Sequence, residues 1–192
     1  LVAFPGSAVP LHIFEERYRE LVSECLAQKN VFGVVRAQRE GLAVIGCTAH
    51  IASVMNRYSD GRMDILCEGM ERFEIEMLDN SRAFLQAEVD ILHDEERFAT
   101  RLQREECVAL HYETIELAGG QIENTSLDLE HPVCFQLAQV LPADLAFKQE
   151  LLSLNSDASR TECLLTFYNA ILPKLRRGMQ ASRSAGRNGH VM

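Results

Sequence analysis

Through the stretch from residue 46 to residue 91, apolar and polar side chains alternate with a period of two. Met63, Ile65 and Cys67 fall on one face of a strand, with Asp64 and Glu68 on the other. Phe73, Ile75 and Met77 alternate with Arg72, Glu74 and Glu76, and Leu85, Ala87, Val89 and Ile91 alternate with Gln86, Glu88 and Asp90. Such patterning predicts antiparallel strands with one wet face. Between the strand over 46–58 and the next lies Tyr58-Ser59-Asp60-Gly61, and Asp-Gly between apolar runs predicts a hairpin. Gly69 predicts a break or a bulge. With a further apolar run at 31–36, these strands predict a small curled sheet or barrel.

One helix interrupts this half. Over Glu15–Lys29, Phe14, Tyr18, Leu21, Val22, Cys25 and Leu26 recur at helical spacing. After His93 the period becomes helical throughout. Asp94-Glu95-Glu96 places acid in a first turn, and Phe98, Leu102, Val108, Ala109, Tyr112 and Ile115 follow as a stripe that Gly119-Gly120 ends. A second helix runs from Pro132 to about Val140, a third is capped by Asp144, and a last one starts at Ser156 or Asp157 and is kinked or shortened by Pro173. The segment Gly119–Leu129 links two helices, and its Ile122 and Leu127 either line a cleft or anchor the loop. The expected organisation is α+β: a β-rich subdomain over 1–93, a helical subdomain over 94–177 and a disordered tail over 178–192.

The 192-residue chain is 47% hydrophobic and 24% charged, the composition of an ordinary globular protein. No apolar run approaches a membrane span. No basic region precedes an apolar one at the N-terminus, which begins at Leu1, so no signal peptide is visible and a cytoplasmic location is expected. The net charge of −9 divides into −5 over residues 1–93, −8 over 94–175 and +4 over 176–192. Nucleic acid is bound mainly by neutralising phosphates, so an acidic body argues against it. The six cysteines are at least 20 residues apart and the histidines show no paired spacing, so no metal site and no cofactor are predicted.

Phe4-Pro5-Gly6, then Pro10-Leu11-His12-Ile13-Phe14-Glu15 with Arg17-Tyr18 and Leu21-Val22, resembles the N-terminal substrate-binding domain of Lon proteases. Gly46, Thr48-Ala49, Ile51, Asp60-Gly61-Arg62, Glu68-Gly69 and Arg72-Phe73 follow in that family's order and spacing. Phe135-Gln136-Leu137-Ala138, Leu141-Pro142, Lys148-Gln149 and Leu151-Leu152 continue the likeness, which spans about residues 4–175. The resemblance implies a six-stranded PUA-like pseudo-barrel with one helix, followed by a helical subdomain. The family's apolar strand before Phe-Pro-Gly is absent here, so either the sequence is trimmed at this end or one strand edge lies uncovered. The chain also stops where a Lon protease continues into its ATPase and protease parts, so it looks like a stand-alone member.

No catalytic residue is predicted. Gly41-Leu-Ala-Val-Ile-Gly46 lacks the lysine of a phosphate-binding loop, no GxSxG elbow occurs, and the three lysines, Lys29, Lys148 and Lys174, offer no Ser–Lys dyad. A cysteine hydrolase centred on Cys134 and His131, three residues apart, is one alternative, although Cys134 sits among core-like neighbours. An RNA-binding PUA-like module is another. The expected function is a non-enzymatic binding module for exposed or unfolded polypeptide segments, or one that docks on a protease or chaperone. Met55, Tyr58 and Met63 flank the hairpin and suit adaptable contact with apolar segments, while Glu16, Arg17 and Glu20 offer polar contacts from the first helix.

Overall fold

The structure is a computed structural model and describes residues 1–120 and 127–187. In chain order its elements are β1 (Ala8–Ile13), α1 (Glu16–Gln28), β2 (Phe32–Val34), β3 (Ala37–Gln38), β4 (Gly41–Leu42), β5 (Ile45–Arg57), β6 (Met63–Asp79), β7 (Gln86–Ile91), α2 (Arg101–Leu117), α3 (Cys134–Val140), α4 (Leu145–Ser153) and α5 (Asp157–Arg187). The α+β order is as expected. Two compact units result, one of residues 1–93 with Ala143–Leu154, the other of Asp94–Pro142 with the chain from Asn155 onward. The segment carrying α4 therefore belongs with the strands, where the sequence pattern placed it with the helices.

In the first unit, five strands form an antiparallel sheet in the order β1-β6-β5-β2, with β7 also paired to β6. β3 and β4 form a separate ribbon, and the order of the main sheet is open at both ends, so no closed barrel forms. The 17-residue β6 organises the sheet. Ile65 faces Leu11 of β1 and Val54 of β5, while Phe73 faces Gly46 of β5 and Ile91 of β7. β1 and β7 thus share one edge of β6 in succession, and β5 holds the other. Gly69 does not break this strand, but the register shifts beside it, between the pairs Ala49–Gly69 and Cys47–Arg72, as the expected bulge requires. A Cβ on Gly69 would lie 2.1 Å from the Phe4 carbonyl oxygen, so glycine lets the N-terminal segment cross closely. Gly6 N donates to Gly69 O and Gly69 N to Ser7 O.

Val9, Ile13, Val22, Cys47, Ala49, Met63, Ile65 and Cys67 form the core of this unit. α1 contributes Val22 to it, and its Cys25 is also buried. Phe14 and Tyr18, expected on the same stripe, are exposed, and Phe14 stacks on His12 instead. Asp144 caps α4 through Phe147 N, as its position predicts. The buried Arg72 donates to Leu152 O and Leu154 O, each at 2.8 Å, and Gln149 Nε2 donates to Ile45 O. A cation thus meets the carbonyls at the end of α4, where the helix dipole favours it.

The second unit corrects several expectations. Asp94-Glu95-Glu96 is not a helical turn. Asp94 pairs with the buried Arg160, and Glu95 accepts from Asn155 Nδ2. α2 begins only after Thr100, whose hydroxyl and Gln103 form a capping box. Its buried residues are Arg104, Cys107, His111, Thr114 and Ile115, whereas Phe98 and Leu102 are exposed. The inward face is thus largely polar, made tolerable by pairing: Arg104 bridges Asp157 at 3.0 Å and His111 Nδ1 meets the Tyr168 hydroxyl at 2.9 Å. α5 continues through Pro173 to Arg187, so residues 178–187 are helical rather than a disordered tail. Once a helix is nucleated, Met179, Gln180, Ala181 and Arg183 are good residues to extend it. The rest of the expected tail, and Ile122 with most of its loop, lie outside the described residues.

Candidate functional site

Helical periodicity places Glu16, Arg19, Glu20 and Ser23 on one face of α1, beside the hairpin joining β5 to β6. Together with Arg57, Tyr58, Gly61, Arg62 and Met63 they line an open cleft of about 600 Å³. Of the six residues expected at a binding site, Glu16, Glu20, Tyr58 and Met63 meet here. Met55 and Arg17 do not. A register shift between Val54 and Asn56 leaves Met55 without a cross-strand partner, and its side chain is exposed elsewhere. Arg17 pairs with Glu15 at 2.8 Å and covers the Tyr18 ring.

The hairpin is held rigidly. Gly61 adopts φ +86, a conformation that glycine reaches without strain, and Asp60 accepts from Arg62 N at 3.1 Å and Arg62 Nε at 2.7 Å. Arg19 Nη1 donates to Asp60 O at 2.8 Å, tying the turn to α1. A Cβ on Gly61 would lie 2.6 Å from that nitrogen, so a larger residue in the turn would displace the Arg19 side chain. Arg19 Nε is buried and unpaired among the described residues.

Tyr58 forms the aromatic wall. Its hydroxyl donates to Asp64 Oδ2 at 2.6 Å, Asn56 Nδ2 donates to the same oxygen at 3.0 Å, and His12 Nδ1 lies 2.6 Å from Oδ1. The His12, Tyr58 and Asn56 hydrogen bonds hold the Asp64 carboxyl down to about 2, and that carboxylate in turn raises the Tyr58 phenol. The Arg62 guanidinium sits 5.1 Å from the Tyr58 ring centre. Met63 is the buried floor, its sulfur 3.4 Å from Arg57 Nη1. Glu20 is engaged by Arg82, which also grips Glu24. Glu16, Arg19 and Arg57 make no ion pair among the described residues, so the cleft offers one anion and two cations without an ionic partner around an apolar floor and an aromatic wall.

The candidate nucleophile of the sequence lies outside the cleft. Cys134 is buried in the second unit, 3.1 Å from Thr161 Oγ1 and 3.8 Å from Asp157 Oδ1, and burial pushes its thiol up to about 12. His131 turns instead to Asp128 at 2.8 Å. The cysteine-hydrolase alternative gains no support here, because burial disfavours the accessible thiolate it requires. All six cysteines are free. Among the described residues no cluster of His, Cys, Asp or Glu could hold a metal ion, and no helix is long and apolar enough to cross a membrane.

Residues 1–170 match the family described as the ATP-dependent protease La (LON) substrate-binding domain. The chain belongs to that family. A Lon protease of Parabacteroides distasonis is 25% identical over 187 residues, covering 88% of this chain and 22% of the relative. One of Amoebophilus asiaticus is 27% identical over 198 residues, covering 93% and 24%. The chain thus spans under a quarter of the Lon proteases it matches. Among solved structures, the Lon N-terminal domain protein from Xanthomonas campestris superposes with a TM-score of 0.67 at 23% identity, covering 86% of this chain and 92% of that one. The N-terminal domain of the Mycobacterium avium complex Lon protease gives 0.58 at 20%, covering 88% and 92%. These likenesses show the fold of a Lon substrate-binding domain.

Proposed function

We propose that this Lon substrate-binding domain binds polypeptide without chemistry of its own, holding an exposed or unfolded segment in the cleft between α1 and the β5–β6 hairpin. The observation that carries this reading is the cleft itself: a fixed hairpin presents Tyr58 and Met63 to a helix face, with Glu16, Arg19 and Arg57 outside any ion pair among the described residues. An aromatic wall and a thioether floor suit apolar side chains of varied shape. The unpaired charges suit the polar groups that flank them. Free thiols throughout the chain fit a reducing compartment, which supports a cytoplasmic location.

The test is a fluorescence anisotropy titration of a labelled, permanently unfolded polypeptide, with the same polypeptide folded and an RNA as parallel probes. Saturable micromolar binding of the unfolded chain alone is expected. Tyr58→Ala, which removes the wall, should weaken it about tenfold. Tighter RNA binding with a steep salt dependence would replace this reading with the nucleic-acid one. Silence from every probe would replace it with docking on a dedicated protein partner.

A further inference from the structure

The ribbon made by the second half of β6 and by β7 has an edge with no partner. Every residue of β7 is exposed, and among the described residues its strand pairing is to β6 alone. The phase of that pairing is fixed by Leu92 N donating to Arg72 O, while Ile75 N turns the other way to Val44 O. Peptide groups of Asp90 and Leu92 therefore face β6, and those of Val89 and Ile91 face the open edge. A row of unpaired N–H and C=O groups is a template for another strand.

The two faces of the ribbon differ in chemistry. Cross-strand partners share a face. Ile75 lies opposite Val89 and Phe73 opposite Ile91, and past a register shift Leu78 lies opposite Ala87. Leu78, Val89 and Ile91 are 45%, 37% and 38% exposed. On the other face Glu74 lies opposite Asp90, and Met77 opposite Glu88. None of Glu74, Glu76, Glu88 or Asp90 forms an ion pair among the described residues. Two like charges set directly opposite destabilise a sheet, and here no cation relieves them.

We propose that the β7 edge accepts an extended polypeptide strand whose side chains alternate between apolar and basic. Successive side chains of an added strand point to opposite faces, one set in line with Val89 and Ile91, the other in line with Glu88 and Asp90. A second copy of β7 would set these acids against their own kind, so charge selects a cationic strand over self-pairing. The site is separate from the cleft and does not rest on it.

The probe is a fluorescein-labelled ten-residue peptide of alternating valine and lysine, titrated into the whole chain and followed by anisotropy. Saturable binding is expected. Val89→Pro removes one open-edge N–H and leaves the β6–β7 hydrogen bonds intact, a place where sheets tolerate proline; it should weaken binding about tenfold. Glu74→Gln with Asp90→Asn should weaken it about fivefold. Peptides N-methylated at every second residue, made in both phases, should differ, one phase binding and the other not. This pair decides the matter should Val89→Pro lose its fold by circular dichroism. Equal binding of both phases, undiminished binding to the folded proline variant, or equal binding of a valine–glutamate peptide overturns the proposal. So does no binding at all, or a concentration-dependent dimer that Val89→Pro abolishes, which would give the edge to a second copy. Tyr58→Ala should leave this peptide's affinity unchanged, so the two sites stand or fall separately.

Discussion

A missing Cβ at Gly69 lets the N-terminal segment lie across β6, because any side chain would begin 2.1 Å from the Phe4 carbonyl oxygen. That oxygen is main chain and cannot swing aside. Gly69→Ala should therefore cost about 3 kcal/mol, read from the urea midpoint by circular dichroism since the chain has no tryptophan. His111 gives a second test. Burial lowers its pKa to about 4, so the folded state stays neutral where the unfolded chain takes up a proton. The contribution is fully present above pH 6.5, falls as pH drops toward 4, and levels off below, a loss of about 3 kcal/mol across that window. His111→Gln keeps a polar partner for the Tyr168 hydroxyl and does not titrate. Its stability should stay flatter between pH 6.5 and 4 than that of the parent.

Among the elements, α5 carries Pro173 inside an otherwise regular helix that runs from Asp157 to Arg187. The ring removes one main-chain hydrogen bond and crowds the preceding turn. Pro173→Ala, at an exposed position, should raise helicity and stabilise the second unit by roughly 2 kcal/mol. A proline read from sequence alone predicts a kink or a stop, because the pattern does not weigh the core contacts of Leu164, Tyr168 and Leu172 that hold the helix on course. The same limit hid which face of α2 turns inward. Its inward residues include Arg104, His111 and Thr114, which a hydrophobic stripe cannot find; the burial of Arg104 and His111 is permitted by Asp157 and Tyr168, more than 50 residues away, and that of Thr114 by the Leu110 carbonyl one turn back. The hairpin, by contrast, was legible: Asp60-Gly61 marks the turn, which places Tyr58 and Met63 beside it. Arg19 and Arg57 gave no signal, because charged residues on a helix face and a strand end look like solvated surface until the helix is docked. At the far end of β6, the alternation Phe73, Ile75, Met77 was legible only as far as the bulge, which hands the apolar face to Leu78.

At the scale of the whole chain, the discontinuity of the first unit is the feature with the sharpest consequence. The β-rich half is continuous to His93, yet α4 returns to it from beyond residue 142. Arg72 shows what that return supplies. Its guanidinium is buried and donates to the carbonyls of Leu152 and Leu154. A buried cation stripped of such acceptors is costly, and without Gln149 the Ile45 carbonyl also loses its donor. The apolar face of α4, with Leu151 and Leu152 buried, would leave a gap in the core as well. A fragment of residues 1–93 should therefore fail to fold cooperatively, showing no sharp urea transition and rapid proteolysis. The same fragment fused through a glycine–serine linker to residues 143–154 should recover a single transition. Cooperative unfolding of residues 1–93 alone would show instead that the strands form a complete unit and that α4 is only docked on it.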